Sequence, residues 1–391
     1  MGTRKLFKLP LIIVFFSTAI IITLVFTSFS SSAVEITGID FMGEATLPTG
    51  SGFENTELGG LSGITYDAQN QVYYAISDDR SQKSAARFYT FKINLNKDSF
   101  QNSDIEAIKI TTLKDKNGKT FPAGTIDPEG IALNNSSIFV SSEGDADRRI
   151  NPFIKEFSLD SGQEISSLPI PQKFLPSEDK KRGIRNNLAF ESLTITPDKK
   201  YLFTATENAL IQDGDKAKPN QGSLCRILKY NLITQQLEKE FLYTSKLVKP
   251  FFKLNGRFSS GLTDLIALDN QENLLSIERT FTGFGFVNSL FKVSLSKTSN
   301  IKDIDSLKKV DIQTIKPAKK ELLLNLGKLE VALDNTEGLT IGEIFPNGQP
   351  SLILVSDNNF NKLQRTQFLI FKLKVESRFE RLLRVIRERI S

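Results

Sequence analysis

The chain has 391 residues, enough for one large domain or two ordinary ones, and 50 Lys+Arg against 45 Asp+Glu give it a formal net charge of +5. The surplus lies at the ends, +3 in residues 1–33 and +2 in residues 376–391, so the neutral body between them is not expected to bind nucleic acid. The absence of His excludes Ser-His-Asp and Cys-His catalysis and imidazole zinc sites. The single Cys225 excludes intrachain disulfides and thiolate zinc sites. Any metal must therefore have oxygen ligands.

The N-terminal segment has the layout of a secretory signal. Arg4, Lys5 and Lys8 precede a strongly apolar stretch, and no further charge occurs before Glu35. Small residues at 31–33 would suit cleavage, which predicts a signal peptide over residues 1–33. The apolar run also reaches the ~20 residues that span a bilayer, so an uncleaved anchor over residues 9–29 remains open. In both cases we expect an exported body, periplasmic or extracellular.

The body repeats one unit five times. Each copy has a short strand that starts beside a Ser or an acid, a turn, and an apolar strand that ends in an acid; the copies span residues 61–79, 128–145, 190–208, 263–279 and 336–359. An alternating third strand follows each copy, at residues 88–95, 153–159, 226–232, 289–295 and 367–373. Short strands at regular spacing predict an all-β repeat architecture.

The terminal strands predict how the repeats close. Four copies have a fourth strand, for example Ile105–Leu113, whereas the fifth copy ends after its third strand. The segment Glu35–Leu47 reads as an unused strand before the first copy. We therefore predict a β-propeller over residues 34–374 with five four-stranded blades, closed by the N-terminal strand. A sixth blade within the long connections remains open.

The C-terminal segment, residues 375–391, predicts a short basic amphipathic helix. Apolar residues recur at helical spacing from Phe379 to Ile390, with arginines between them. Such a helix either docks on the domain or contacts an anionic membrane surface, and the N-terminal segment offers a second membrane contact. We expect the protein to be a monomer.

Acidic residues recur where the two strands of each hairpin meet. Nine of the ten paired positions are acidic, although acids make up only 45 of 391 residues; the tenth is Ser62. The nine acids are Asp78, Glu129, Glu143, Glu191, Glu207, Asp264, Glu278, Glu337 and Asp357. In a propeller the first strands line the central channel, so we expect these carboxylates to converge on one mouth. Clustered carboxylates need a compensating cation, which predicts bound Ca²⁺.

Arginines near the same strand ends supply the opposite charge. Arg80, Arg148, Arg185 and Arg279 are predicted to lie near the mouth, where they would bind an anionic group bidentately. Acids at strand ends also commonly pair with Arg or with backbone N–H groups to lock neighbouring blades together. The pattern therefore admits both a functional and a structural role.

Several stretches resemble the bacterial phytase-like family, whose members are labelled "esterase-like activity of phytase". They include TFPAGTIDPEGIAL (120–133), RGIRNNLAFESLTITPD (182–198) and LVSDNNFNKLQRTQFLIFKL (354–373), and the resemblance covers roughly residues 45–374. It implies hydrolysis of phosphate esters or related esters on a propeller, similar to the calcium-dependent phytases. The ligand motifs of those phytases do not occur here, so no individual ligand carries over.

Two functions remain open on the sequence. The first is a calcium-dependent hydrolase of a small anionic phosphate ester or related ester, with Glu129, Glu191, Arg185 and Arg279 as catalytic candidates. Calcium would activate water, a carboxylate would take its proton, and an arginine would bind the anionic group. The second is a non-catalytic exported propeller that binds a glycan, peptide or protein partner, with a structural ring of acids.

Overall fold

The computed structural model describes residues 35–95, 100–249, 258–283 and 285–376, and within them five antiparallel four-stranded sheets form the blades of a β-propeller. Blade 1 consists of β4 (Leu61–Asp67), β5 (Val72–Ser77), β6 (Arg87–Ile93) and β7 (Ile105–Thr112). Blade 2 consists of β8 (Pro128–Asn134), β9 (Ser137–Ser142), β10 (Phe153–Ser158) and β11 (Glu164–Leu168). Blade 3 consists of β12 (Phe190–Ile195), β13 (Tyr201–Thr206), β14 (Leu224–Asn231) and β15 (Gln236–Thr244).

The last two blades complete the ring. Blade 4 consists of β16 (Ser259–Ala267), β17 (Asn273–Phe281), β18 (Phe286–Ser294) and β19 (Lys319–Asn325). Blade 5 consists of β20 (Asn335–Ile344), β21 (Pro350–Asp357), β22 (Thr366–Glu376) and, as its outer strand, β1 (Glu35–Leu47). The first strands β4, β8, β12, β16 and β20 contact one another in ring order and surround the central axis. The predicted five-bladed propeller is confirmed.

The N-terminal strand closes the ring as predicted. β1 pairs antiparallel with β22 along its whole length, from Glu35 opposite Glu376 to Leu47 opposite Thr366. The closure joins the two ends of the described chain through backbone hydrogen bonds and leaves blade 5 with no missing strand. β22 runs to Glu376, so it extends two residues into the segment predicted to be helical.

The core is divided into five wedges, one between each pair of neighbouring blades. Between blades 1 and 2, for example, Ile76 and Phe88 pack with Val140 and Phe157. Between blades 4 and 5, Leu275, Leu290 and other aliphatic residues pack with Leu354 and Phe371. Because every blade has two faces in such wedges, its strands are apolar on both sides, which explains the nearly continuous hydrophobic runs of the second and third strands.

The long connections contain no sixth four-stranded sheet within the described residues. One short hairpin, β2 (Gly52–Phe53) with β3 (Thr56–Glu57), lies outside the blades. The remaining regular structure is five short 3₁₀ helices: η1 (Asn102–Asp104), η2 (Gln172–Phe174), η3 (Leu307–Lys309), η4 (Ile312–Thr314) and η5 (Leu326–Lys328). These connections lengthen the spacing between repeats without adding a blade.

The predicted leader, residues 1–33, and residues 377–391 of the predicted C-terminal helix lie outside the described residues. Among the helices that the structure does describe, none has the length and apolar character needed to cross a membrane.

Candidate functional site

A β-bulge interrupts the first strand of every blade near its start. The regular pairing of β4 with β5 is shifted between Leu61 and Gly63, and corresponding shifts occur in the other four blades. A bulge bends the strand and re-aims the side chain that it carries. The bulged positions are Ser62, Glu129, Glu191, Thr263 and Glu337.

Each second strand has an equivalent position beside the bulge. It lies at or directly after the strand end in four blades, and two residues before the end of β17 in blade 4; we call it the strand-end position. The backbone N–H of Asp78 donates to the carbonyl of Gly60 (2.7 Å), and that of Glu143 donates to the carbonyl of Asp127 (3.0 Å). The equivalent residue in blade 4 is Arg279, which pairs with Gly261. The five strand-end positions are therefore Asp78, Glu143, Glu207, Arg279 and Asp357.

Blade 4 departs from the sequence prediction by one residue. The predicted pairing of Asp264 with Glu278 is wrong, because Glu278 lies opposite Leu262 and Asp264 lies opposite Ile277. The shift arises because the bulge of blade 4 carries Thr263 and not an acid. Alternate residues of a strand face opposite sides, so a one-residue shift directs both acids away from the mouth.

The two displaced acids tie blades together. The Asp264 carboxylate accepts hydrogen bonds from the N–H groups of Leu265 and Leu339, both at 2.8 Å, and so links blade 4 to blade 5. Glu278 accepts from the Tyr243 hydroxyl (2.5 Å), and its Oε1 also pairs with Lys320. The expectation that all nine acids converge on one mouth is therefore wrong for Asp264 and Glu278.

The remaining acids surround a cavity of about 440 Å³ at the mouth of the central channel, here called the acid cavity. Its walls contain five of the predicted acids, Asp78, Glu129, Glu191, Glu337 and Asp357. The other lining residues include Arg80, Asn187, Arg279, Asn359 and Phe360. Glu143 and Glu207 are buried directly behind this wall, where Glu143 raises the pKa of Glu191 and Glu207 raises that of Glu337.

Gly60 shows how tightly the wall is packed. Its φ of +65° suits glycine, and a Cβ there would lie 2.1 Å from Oδ1 of Asp78. Any larger residue would displace that carboxylate. The backbone of the first strand is therefore held directly against the acid.

Asp127, Glu129 and Glu143 form the tightest group of carboxylates. One oxygen from each lies within 4.8 Å of the other two, and all three residues are buried. Asp127 is not among the predicted site residues, because it lies outside the paired strand-end positions. The signal was its place two residues before the bulge acid, where blade 5 has Asn335 before Glu337.

Burial and mutual repulsion keep these carboxyl groups from ionising freely. Burial, and next to it the neighbouring carboxylates, raise the pKa of Asp78, Glu129, Glu143 and Glu191 well above their ordinary values. Burial also raises the pKa of Glu337 to about 8 and those of Asp127 and Asp357 to about 6. The cluster therefore needs either bound protons or a bound cation.

Two arginines partly compensate the charge. Nη1 of Arg279 contacts Oε1 of Glu337 (2.7 Å), and its Nη2 contacts Oε1 of Glu207 (3.1 Å). Nε of Arg80 contacts Oδ1 of Asp127 (2.7 Å). Burial lowers the pKa of Arg279, but the surrounding carboxylates outweigh it and raise the pKa overall, so the guanidinium stays charged. Two guanidinium groups thus face seven buried carboxyl groups and the half-buried Asp78.

Arg185 has a different position from the one predicted. Its Nε donates to the carbonyl of Ala209 (3.0 Å) and its Nη2 to the carbonyl of Gly214 (2.7 Å). Arg185 is not part of the acid-cavity wall. The expectation that it binds the substrate anion is therefore wrong in this structure, because its donors hold the loop after β13. Arg148 is likewise outside the wall and donates to the carbonyl of Gly124 (2.8 Å).

Orphaned carboxylate oxygens test whether the cavity suits a cation. Oδ1 of Asp78, Oε2 of Glu143 and Oε2 of Glu207 are buried without a hydrogen-bond partner among the described residues. A buried, unpartnered carboxylate oxygen is costly and is a natural ligand for a hard cation. The donor set consists of oxygens alone, which fits Ca²⁺ rather than zinc or another metal that favours nitrogen or sulfur.

Comparison with solved structures finds propeller proteins of low sequence identity. An endo-arabinase from Bacteroides thetaiotaomicron is 11% identical over 86% of this chain and 98% of its own, with a TM-score of 0.44. An alpha-L-arabinofuranosidase from Lactobacillus brevis is 9% identical over 80% of this chain and 90% of its own, with a TM-score of 0.42. At these TM-scores the likenesses bear on neither site nor function.

Sequence comparison identifies the family. No curated protein matches the chain. The model of a phytase-like family, described as "Esterase-like activity of phytase", matches residues 56–360, which span all five blades and every residue of the acid cavity. The chain therefore belongs to the phytase-like family.

Proposed function

We propose that this protein is a calcium-dependent hydrolase of phosphate esters or related esters. The observation that carries the proposal is the group of Asp127, Glu129 and Glu143, whose carboxylate oxygens lie within 4.8 Å of one another beside an acid-lined cavity. Membership of the phytase-like family supports the same chemistry.

Calcium would be held by Asp127, Glu129 and Glu143, and the orphaned Oε2 of Glu143 would gain a partner. When bound, it would neutralise the carboxylates and supply Lewis-acid chemistry toward the phosphoryl group. Ionisation of the three acids would then no longer depend on protons. Asp78 and Asp357 also line this cavity and would add to its negative potential.

The chain's own residues would perform binding and proton transfer. Arg279, whose Nε has no hydrogen-bond partner among the described residues, and Arg80 would orient the phosphate oxygens. Glu191 would take a proton from the attacking water while the water oxygen forms its bond to phosphorus. The ester P–O bond then breaks, and the proton held by Glu191 passes to the departing alkoxide. The products are the alcohol and inorganic phosphate, and Glu191 returns to its carboxylate form.

Activity of the full-length chain tests this function. We would measure turnover of 4-nitrophenyl phosphate, phytate and 4-nitrophenyl acetate in calcium and in excess chelator. We expect calcium-dependent turnover, and a Glu191→Gln change should lower kcat at least about a hundredfold because the proton acceptor is lost. The buried but displaced Glu278 provides the control, since Glu278→Gln should retain activity if the variant is folded.

A non-catalytic propeller is the second candidate, and one observation favours it. Arg279 of blade 4 pairs with Glu207 of blade 3 and Glu337 of blade 5, so it also acts as a brace across three blades. If none of the substrates turned over at any calcium concentration, the hydrolase would be rejected in favour of this binding role. Export of the body, on the basis of residues 1–33, stays a prediction in either case.

A further inference from the structure

A second cavity, of about 910 Å³, adjoins the acid cavity. The two share Arg279 and Asn359 in their walls. We call it the apolar cavity for four side chains that the acid cavity lacks, Phe281, Phe286, Leu333 and Leu363. They lie beside seven polar lining residues: Ser259, Arg279, Asp334, Asn335, Asn359, Asn361 and Gln364. A molecule that contacts Arg279 therefore has access to both a charged and an apolar surface.

The two aromatic rings are held in place by a tight hairpin. Phe281 ends β17 and Phe286 begins β18, and the two residues lie opposite each other across the turn. The N–H of Thr282 donates to the carbonyl of Gly285 (3.0 Å), and the ring centroids are 5.2 Å apart. The rings are both partly exposed, so they present an ordered aromatic surface.

Leu363 faces solvent although its loop is anchored. Its side chain is 93% exposed, the highest value among the large apolar side chains that the structure exposes. The loop is fixed by Asp334, which accepts hydrogen bonds from Nε2 of Gln364 (3.2 Å) and from the N–H of Arg365 (2.9 Å). Together with Phe281 and Phe286 in the same wall, Leu363 offers an apolar contact surface to a ligand in this cavity.

The charges of the apolar cavity limit what can bind there. Among its lining residues in the described part of the chain, Arg279 is the one with a cationic side chain. The acidic residue of the apolar cavity, Asp334, accepts hydrogen bonds from the loop that carries Leu363. A substrate with many phosphate groups would need several cations along its length, which these walls do not supply.

Resting on the function proposed above, we propose that the substrate is a phosphate monoester with an apolar, aromatic or alkyl, alcohol group. The phosphate lies against Arg279 in the acid cavity, and the apolar group lies on Phe281, Phe286 and Leu363 in the apolar cavity. Because the substrate contacts both cavities, Phe281, Phe286 and Leu363 determine the specificity for its alcohol group. They are not catalytic residues, because none of them reaches the phosphate.

Binding of non-hydrolysable phosphonates tests the inference without turnover. Full-length protein with calcium is titrated calorimetrically with 1-naphthylphosphonate and with methylphosphonate. We expect the naphthyl compound to bind at least about tenfold more tightly, which corresponds to about 1.4 kcal/mol. Leu363→Ser and Phe281→Ser should each reduce that preference. The matched control is Ile233→Ser, which changes another exposed aliphatic residue, 77% exposed and remote from both cavities, and should keep it.

The outcomes separate this inference from the proposed function. Equal affinity for the two phosphonates would overturn the apolar subsite and leave the phosphoester hydrolase standing. A preference that survives both cavity variants, or that Ile233→Ser also removes, would overturn it as well. Failure to bind either phosphonate would reject the anion site itself, and with it both the proposed function and this inference.

Discussion

Arg279 occupies the strand-end position that an acid occupies in the other four blades. It contacts Glu207 and Glu337 from the neighbouring blades and has one side in each of the two cavities. A guanidinium can do this because its planar fork presents donors in several directions at once. One residue thus limits repulsion within the acid cluster and marks the junction between the acid and apolar cavities.

Glu143 and Glu278 provide a matched pair for testing the calcium ligands. Both are buried acids, Glu143 directly after β9 and Glu278 within β17, but only Glu143 lies in the group with Asp127 and Glu129. We expect Glu143→Gln to weaken calcium binding at least about tenfold, because a ligand oxygen loses its charge. Glu278→Gln should leave calcium affinity unchanged, as measured by calorimetric titration. Equal weakening by both changes would contradict the assignment of the ligands.

At the scale of the element, the bulge in each first strand determines where the side chains of the site point. In four of the five blades this arrangement brings an acid to the strand end beside the bulge, and in blade 4 it brings Arg279 there. The bulge also sets the register of the whole hairpin. A shift of one residue would therefore reverse the faces of all its side chains.

The closing strand β1 yields a prediction about stability. Ala45 is fully buried in β1, opposite Phe368 of β22. We expect Ala45→Asp to lower the melting temperature by at least about 4 °C, because a buried, unpaired carboxylate costs several kcal/mol and 1 kcal/mol shifts Tm by roughly 1–2 °C in a domain of more than about 300 residues. Thr37→Asp, at an exposed site of the same strand, is the control. Equal melting temperatures for the two variants, by circular dichroism, would show that β1 does not close the ring in solution.

At the scale of the molecule, the acid cluster makes stability depend on pH and on calcium. The folded-state pKa of Glu337 is raised to about 8, and those of Asp127 and Asp357 to about 6. A carboxyl group with a raised folded-state pKa binds its proton more tightly in the folded than in the unfolded chain. Its contribution to stability is therefore complete in acid and is lost as the pH rises through the folded-state value.

Melting curves of the metal-free protein check this dependence. Between pH 5 and pH 8 we expect Tm to fall by at least about 5 °C, because several buried carboxyl groups must release protons that stabilise the fold. Saturating calcium should remove most of that fall, since the cation replaces the protons. If the metal-free Tm rose from pH 5 to pH 8, that result would argue against an uncompensated acid cluster. The same would follow if calcium left the Tm at pH 8 unchanged.

The sequence by itself determined the repeat and the closing strand, and it predicted five blades while a sixth remained open. Alternating runs and turn residues are local signals, and they recur in every copy, so the limits of β1 were predicted to the residue as Glu35–Leu47. The same repeat placed acids at strand ends, and seven of the nine proposed acids line the acid cavity or lie directly behind its wall.

Only the tertiary structure decided which side chains meet. It moved Asp264 and Glu278 to the blade interfaces, gave Arg279 the strand position that was predicted for Glu278, added Asp127 and committed Arg185 to a loop. The physical reason is that a bulge offsets the register by one residue, and sequence alternation does not show on which residue the bulge falls. In a strand that single residue decides whether a carboxylate faces the central cavity or a neighbouring blade.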